Sequence, residues 1–370
     1  MNRAGIVELI ADGVGLRAGD KVSVFMTDSS VIDLTRDFVE LCYRRGACPQ
    51  VLLTDEHFDQ AGLRYAGAEK LAQPPPLEAA AMAWCDVHVS FRAMVPPPSD
   101  APDPVRAAAL RTGRGVISTM RWQGTRWALV RVPTPEWAAR FGLDFKAWQD
   151  EWEAAFEADW PAAGRRMQAL CEILDGGHEV VLRSRDTDLR MGIAGRRWVP
   201  FAGQANWPDG EIATAPLETT AQGHIVFPGE LVFGVTVVRD LALTFEQGRV
   251  VALSAGQGQA FVEQLLDDDA GARLIGEFGV GTNARLQTVT HDLLIDEKIL
   301  GTAHIALGRA YPECGGVNQS AIHWDIVKDL RQPGGYLSVD GTVLIEDGVV
   351  TPLLADAAVG NAPSRREPSN

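Results

Sequence analysis

The chain has 370 residues, 46% hydrophobic and 22% charged, with a net charge of −15. That length exceeds one ordinary hydrophobic core and predicts two domains or more, and the composition shows no sign of global disorder. Phosphate backbones and anionic membranes repel so acidic a surface, so neither nucleic acid nor membrane is an expected partner.

The opening stretch MNRAGIVELIADGVGL carries Glu8 and Asp12 among its apolar residues, which suits neither a signal peptide nor a membrane span. No later apolar run is long enough to cross a bilayer. Five cysteines occur, none in CxxC spacing. They read as free, buried thiols in a reducing compartment, and a cytoplasmic location is expected.

Lys21 to Met26 reads as a strand. A helix follows from about Ser30 to Arg45, with Val31, Leu34, Phe38 and Leu41 along one face and Gly46 placed to cap it. Gln50 to Leu53 is a second strand, so the unit is βαβ and predicts a parallel sheet. Asp86 to Phe91 and Trp127 to Val132 are further strands. Pro96-Pro97-Pro98-Ser99-Asp100 reads as a loop, and Pro133 and Pro135 stop the later strand. Phe145, Trp148, Trp152 and Phe156 recur at helical spacing and read as a core-facing stripe.

Beyond the helix that ends with Met167 to Leu174, strand signals dominate. They include Glu179 to Leu182, His224 to Phe227, Leu231 to Val238 and Leu241 to Phe245. Turn signals stand at Asp209-Gly210, Gln247-Gly248, Asp340-Gly341 and Asp347-Gly348. The expected fold class is an α/β N-terminal domain with a parallel sheet (1–165), then a β-rich α+β metal-binding domain (166–355). Residues 356–370 read as a frayed tail.

There is no Walker loop, GxSxG elbow or HExxH, and Gly279-Val280-Gly281 is too short for a dinucleotide fingerprint. Histidine placement is more informative. In Ser320-Ala321-Ile322-His323-Trp324-Asp325, a strand would point His323 and Asp325 to one face. An imidazole with a carboxylate is a normal divalent-metal pair, though HxD alone is equally an ordinary surface pair. His304 lies in the apolar run Ala303 to Gly308, where a satisfied core residue is the bland reading. Glu277 lies in Leu274 to Gly279, and Glu211 follows Pro208-Asp209-Gly210. A carboxylate buried there needs a partner, which a metal would supply.

Several segments together resemble the aminopeptidase T/aminopeptidase S family of metallopeptidases, over nearly the whole chain. They are Gly13 to Val22, Tyr43 to Ala47, Pro133 to Ala138, Asp186 to Leu189, Asn206 to Pro216, Gly276-Glu277, His304 to Gly308 with Tyr311-Pro312, and Asn318 to Asp325. The resemblance implies two divalent metal ions (zinc, cobalt, manganese or similar) held by Glu211, Glu277, His304, His323 and Asp325, with one carboxylate bridging. It also implies that Tyr311 contacts the reacting centre. A short peptide or small amine-bearing substrate, an enclosed cavity and a homodimer are implied too. Such a site can activate water and polarise a peptide carbonyl. Tyr311 would donate to the developing oxyanion, and Glu277 would accept the proton of the attacking water.

The chain also departs from the family. The step from His304 to His323 is 19 residues (323 − 304), shorter than is usual there. Arg309 is unusual within it and would either read a substrate carboxylate or form a surface salt bridge. Ala213 stands where the family tends to have an aromatic residue. His291 with Asp292, Asp296 and Glu297 reads as a solvated charged loop, and His224 as structural. His57 and His88 show no ligand arrangement. Arg196-Arg197 would bind a substrate carboxyl or form an exposed pair, and Cys314 would be oxidation-sensitive. Two other functions compete with the aminopeptidase. One is a mononuclear Fe(II) ring-cleaving dioxygenase of the dihydroxypyridine type, which keeps the HxD pair but has histidine at the position matching Glu277. The other is a binding protein with a decayed site, which retention of all five ligands disfavours.

Overall fold

The computed structural model describes residues 3–360. The first half is built on a five-stranded parallel sheet. Its order is Cys48–Leu53, Lys21–Met26, Val87–Ala93, Arg126–Val132 and Asn206–Trp207. Lys21–Met26 is buried at every position but the first, as a strand covered by helices on both faces must be. A single 3-10 turn, Ser29–Val31, leads into the helix Ile32–Arg44. Its Leu34, Phe38 and Leu41 pack inward, and Gly46 takes the left-handed conformation (φ +77°) just past its end.

Side-chain caps set the later helix starts. The carboxylates of Asp103, Asp144 and Asp159 and the hydroxyl of Thr134 each accept a bond from a backbone N–H in the first turn. The helix Pro104–Gly124 was not anticipated. The Trp148, Trp152 and Phe156 stripe is buried as core. Trp152 donates to the Arg131 carbonyl at 2.7 Å, and Phe156 stacks on Trp207.

After the helix Trp160–Leu174 every sheet is antiparallel. One has eight strands, from Arg249–Ser254 at one edge to Val349–Val350 at the other. The second has five, in the order His323–Asp329, Thr302–Gly308, Ile275–Gly281, Glu211–Thr214 and Val199–Phe201. A parallel N-terminal α/β part followed by antiparallel sheets is the expected class. The Asn206–Trp207 strand joins the first sheet from far along the chain, and the next strand, Glu211–Thr214, belongs to the last. The link Pro208-Asp209-Gly210 therefore passes from one sheet to the other.

Three of the expected turns are hairpins with both central residues at positive φ: Gln247-Gly248, Asp340-Gly341 and Asp347-Gly348. Asp209-Gly210 is not a hairpin. The Asp209 carboxylate is fully buried and accepts from the N–H groups of Gly203 (2.7 Å) and Gly210 (2.9 Å). His224 to Phe227 and Leu231 to Val238 are also not separate strands. One strand, Gln222–Phe233, runs through Pro228-Gly229 as a bulge and turns at Gly234 into Thr236–Glu246.

The frayed tail needs correcting too. Pro352–Ala357 is helical, and Leu354, Ala357 and Val359 are buried. The rest of that expected tail, 361–370, lies outside the described residues. Among the described residues no helix is long and apolar enough to cross a membrane.

Candidate active site

All five expected ligands stand on the last sheet, and strand register puts them on one face. Glu211 is opposite Gly281, and His304 is opposite Gly279. Glu277 and Asp325 are both opposite Ala306, and His323 is opposite Gly308. Cross-strand partners share a face, as do residues two apart in a strand. The same face also carries Ala213, opposite Gly279. The polar side chains thus rise from a floor of glycine and alanine. At Gly279 a Cβ would lie 2.1 Å from His304 Cε1, so only glycine lets that imidazole lie across the strand. The Gly-Val-Gly of 279–281 therefore serves close packing, not a phosphate.

Glu277 sits between the two imidazoles. His304 Nε2 is 3.7 Å from Glu277 Oε1 and 3.7 Å from Glu211 Oε2. His323 Nε2 is 3.3 Å from Glu277 Oε2 and 3.3 Å from Asp325 Oδ1. Two triplets result: Glu211, Glu297 and His304, and Glu277, His323 and Asp325. Within each, one possible ligand atom per residue lies within 4.8 Å of the others. The His323 ring is oriented from behind, because its Nδ1 is 2.8 Å from the Arg309 carbonyl. A carbonyl only accepts, so Nδ1 carries hydrogen and Nε2 faces the carboxylates.

Electrostatics tie the cluster together. Burial would raise the Glu277 carboxyl, but hydrogen bonds and charge from His304 and His323 hold it well below the usual carboxylate range. Burial would lower His304, yet Glu277, Glu211 and Glu297 push it up to about 9. Against the same burial, Tyr311, Asp325 and Glu277 hold His323 well above its ordinary value. Asp325 lies low for the reciprocal reason, its burial outweighed by His323.

Glu297, Lys298 and Asp209 were missed as site residues. Lys298 is fully buried, with Nζ 2.5 Å from Glu211 Oε1, 2.7 Å from Glu297 Oε1 and 3.8 Å from Asp209 Oδ1. Even so, burial and repulsion from Glu211 and Asp325 leave Glu297 pushed up to about 8. The available signal was Asp296-Glu297-Lys298 set between Leu293-Leu294-Ile295 and Ile299-Leu300, charges with no amphipathic period.

The expected solvated loop is in fact buried. Asp292 pairs with Arg131, and Asp296 accepts from Thr290 and the His291 N–H. His291 stacks on Phe141. Arg309 is likewise buried, donating to Thr119 Oγ1 at 2.7 Å, so it forms no surface salt bridge. Arg196 is buried against Glu218 at 2.7 Å and is neither a free substrate contact nor half of an exposed pair. His224 is exposed on its strand. His57 does have a carboxylate arrangement, 2.8 Å from Asp55 and grouped with Asp28, but both acids cap backbone N–H groups there. His88 is buried edge-on to Phe25. Four cysteines are buried, whereas Cys48 is exposed. Burial foremost raises the Cys314 thiol, which makes it inert and corrects its expected sensitivity to oxidation.

The cluster faces a cavity of about 510 Å³. One wall is the ligand sheet with Tyr311, whose ring centroid is 5.0 Å from that of His323. The opposite wall comes from the first half of the chain and includes Ser90, Arg121, Trp122 and Trp127.

Carboxylates and imidazoles grouped in two triplets, in a cavity of peptide-fragment size, define a metal-dependent hydrolase site. The chain belongs to the thermophilic metalloprotease (M29) family, whose model matches residues 6–348. It is 27% identical to aminopeptidase T of Thermus thermophilus, over 92% of this chain and 94% of that protein. It is 26% identical to aminopeptidase 2 of Geobacillus stearothermophilus, over 92% and 93% respectively. The fold also matches the solved structure of wild-type AmpT from Thermus thermophilus. There the TM-score is 0.74 at 24% identity, covering 94% of this chain and 98% of that one.

Proposed function

We propose that the activity is that of a metal-dependent aminopeptidase working through two divalent ions, zinc, cobalt or manganese. Glu211 and His304 would hold one, His323 and Asp325 the other, and Glu277 would stand between them. The observation that carries this is the position of Glu277 between the two imidazoles, within one triplet and next to the other. Orphaned atoms support a metal there, since Glu211 Oε2, Glu297 Oε2 and His304 Nδ1 are buried without a hydrogen-bond partner. When bound, such ions supply Lewis acidity for a peptide carbonyl and make water a nucleophile near neutral pH. Glu277 would accept the proton of the attacking water and return it to the leaving amine. Tyr311, kept protonated by burial, would donate its hydroxyl hydrogen to the developing oxyanion. The cavity size suits short peptides. We further propose a cytoplasmic homodimer and a division into domains near residue 165. The dioxygenase alternative finds no support in the family or in these relatives.

Elemental analysis of protein purified without chelator, with hydrolysis of aminoacyl amides assayed alongside, tests the reading. About two divalent ions per chain, and activity lost on chelation and restored by zinc, cobalt or manganese, are expected. One iron per chain with oxygen uptake on hydroxylated pyridines, and no amide hydrolysis, would overturn it.

Metal uptake should also expel protons. In the metal-free protein Glu297 titrates at about 8 instead of 4.5, and His304 at about 9 instead of 6.5. Both folded-state values are raised. Each contribution to stability is therefore complete below the unfolded value and lost as pH rises through the folded one. These two groups thus weaken the metal-free fold between pH 4.5 and 9. Divalent cation affinity is expected to rise over the upper part of that window. Calorimetry of zinc uptake in buffers of different ionisation enthalpy counts the protons, and uptake with no release would contradict the expectation.

A further inference from the structure

The carboxylates that line the cavity are nearly all matched by charges of the protein itself. Asp59 and Glu78 pair with Arg114, and Asp292 pairs with Arg131. Glu211 and Glu297 pair with Lys298, and Glu277 and Asp325 with imidazoles. The remaining one, Glu313, is exposed.

Two lining arginines are not matched in this way. Arg121 is 8% exposed and Arg309 is 4% exposed. Among the described residues neither has a carboxylate partner, and both Nε atoms are buried with no hydrogen-bond partner. What holds them is neutral. Arg121 lies over the Trp127 ring at 4.6 Å and donates to Ser118 Oγ at 3.1 Å. Arg309 lies over Trp122 at 5.7 Å and donates to Thr119 Oγ1.

The two side chains come from opposite walls. Arg121 belongs to the helix Pro104–Gly124, and Arg309 follows the strand Thr302–Gly308. Close packing fixes their approach, because a Cβ on Gly115 would lie 2.0 Å from the Ala321 carbonyl oxygen. The sites of positive charge and of metal ligation are neighbours. Arg309 is linked through its carbonyl to the His323 ring, and the Tyr311 ring lies 5.7 Å from Trp122. Burial, with like charge from Arg92 and Arg309, depresses Arg121, although a guanidinium stays cationic in water-exposed and buried sites alike. Two buried cations without an anion are costly unless a ligand supplies one.

We propose that Arg121 and Arg309 form an anion subsite of this cavity that binds a carboxylate of the substrate, so that substrates bearing a free carboxylate there are preferred. This rests on the aminopeptidase reading for the reaction, but not for the binding. The carboxylate has two sources, the C-terminus of a dipeptide or an aspartate or glutamate side chain. A planar guanidinium fork suits either, through paired N–H···O bonds.

The test compares kcat/KM for Leu-Gly against Leu-glycinamide, and for Glu and Asp anilides against Gln and Asn anilides. A preference for the anionic member is expected, falling about 10- to 100-fold in Arg309→Gln and in Arg121→Gln. Partial recovery is expected in Arg309→Lys, which keeps the charge but loses the fork. A fall in the first pair assigns the main-chain carboxylate, and a fall in the second assigns the side chain. Equal rates for anionic and neutral members in the wild type overturn the subsite and leave the aminopeptidase standing. A preference that survives both glutamine variants also overturns it.

Binding of glutarate and of glutaramide to the metal-free wild-type protein, by calorimetry, gives an arm independent of catalysis and of variant folding. Saturable glutarate binding with none for glutaramide supports the subsite even if no amide is cleaved. No discrimination between the two overturns it.

Discussion

Glu277→Gln is expected to lower kcat/KM on aminoacyl amides by about 10²- to 10⁴-fold, the range for losing a positioned general base. The substitution keeps the shape of the side chain and removes its charge and its basicity. In the wild type this carboxylate faces His304 Nε2 at 3.7 Å and His323 Nε2 at 3.3 Å and lies on the floor of the cavity. It raises both imidazoles, so in the metal-free variant both should titrate lower. Proton-detected titration of the two rings reads that shift separately from catalysis. Metal content measured beside the rate divides a lost ligand from a lost base. Activity within a few-fold of wild type would remove Glu277 from the reaction.

Lys298→Met should destabilise the metal-free protein by about 3–5 kcal/mol, the cost of breaking a buried ion pair on one side. Methionine fills much of the same volume, so the cavity contribution is small. What is lost is a cation within 4 Å of Glu211, Glu297 and Asp209 together, at 2.5, 2.7 and 3.8 Å. Ionising those buried acids together would then cost more, and Glu297 and Glu211, already raised by burial, would rise further. Adding Glu297→Gln should return part of the loss, because it removes one acid that the lysine no longer offsets. Saturating zinc should also narrow the gap, since losing the lysine charge beside Glu211 favours cation binding and so stabilises the variant more. Denaturant unfolding of chelated protein measures the first two, and of zinc-saturated protein the third. If Lys298→Met unfolds at the wild-type midpoint, the lysine is not the counter-ion that its distances describe.

Much of this was legible along the chain because it is local. Alternation by two put His323 and Asp325 on one face, and the 3.3 Å between His323 Nε2 and Asp325 Oδ1 agrees. Asp340-Gly341 and Asp347-Gly348 announced hairpins, because few residue pairs tolerate two positive φ values in succession. Lys21 to Met26 and Asp86 to Phe91 announced strands, which the structure shows as Lys21–Met26 and Val87–Ala93, each buried on both faces.

What the chain did not announce depends on partners distant in sequence. Asp209-Gly210 resembles a turn until the N–H of Gly203 is seen bonded to its carboxylate. Asp296-Glu297-Lys298 resembles a solvated run, because no local pattern shows that Glu211 lies beside the lysine. Arg309 resembles a surface residue until Thr119 and Trp122, from a helix nearly two hundred residues earlier, close over it. Residue spacing paired His323 with Asp325, and the family resemblance implied the rest of the metal-ligand set. Only the tertiary structure decided which charges were matched, because ion pairing and burial are set by contacts between segments that meet once the sheets and helices have packed.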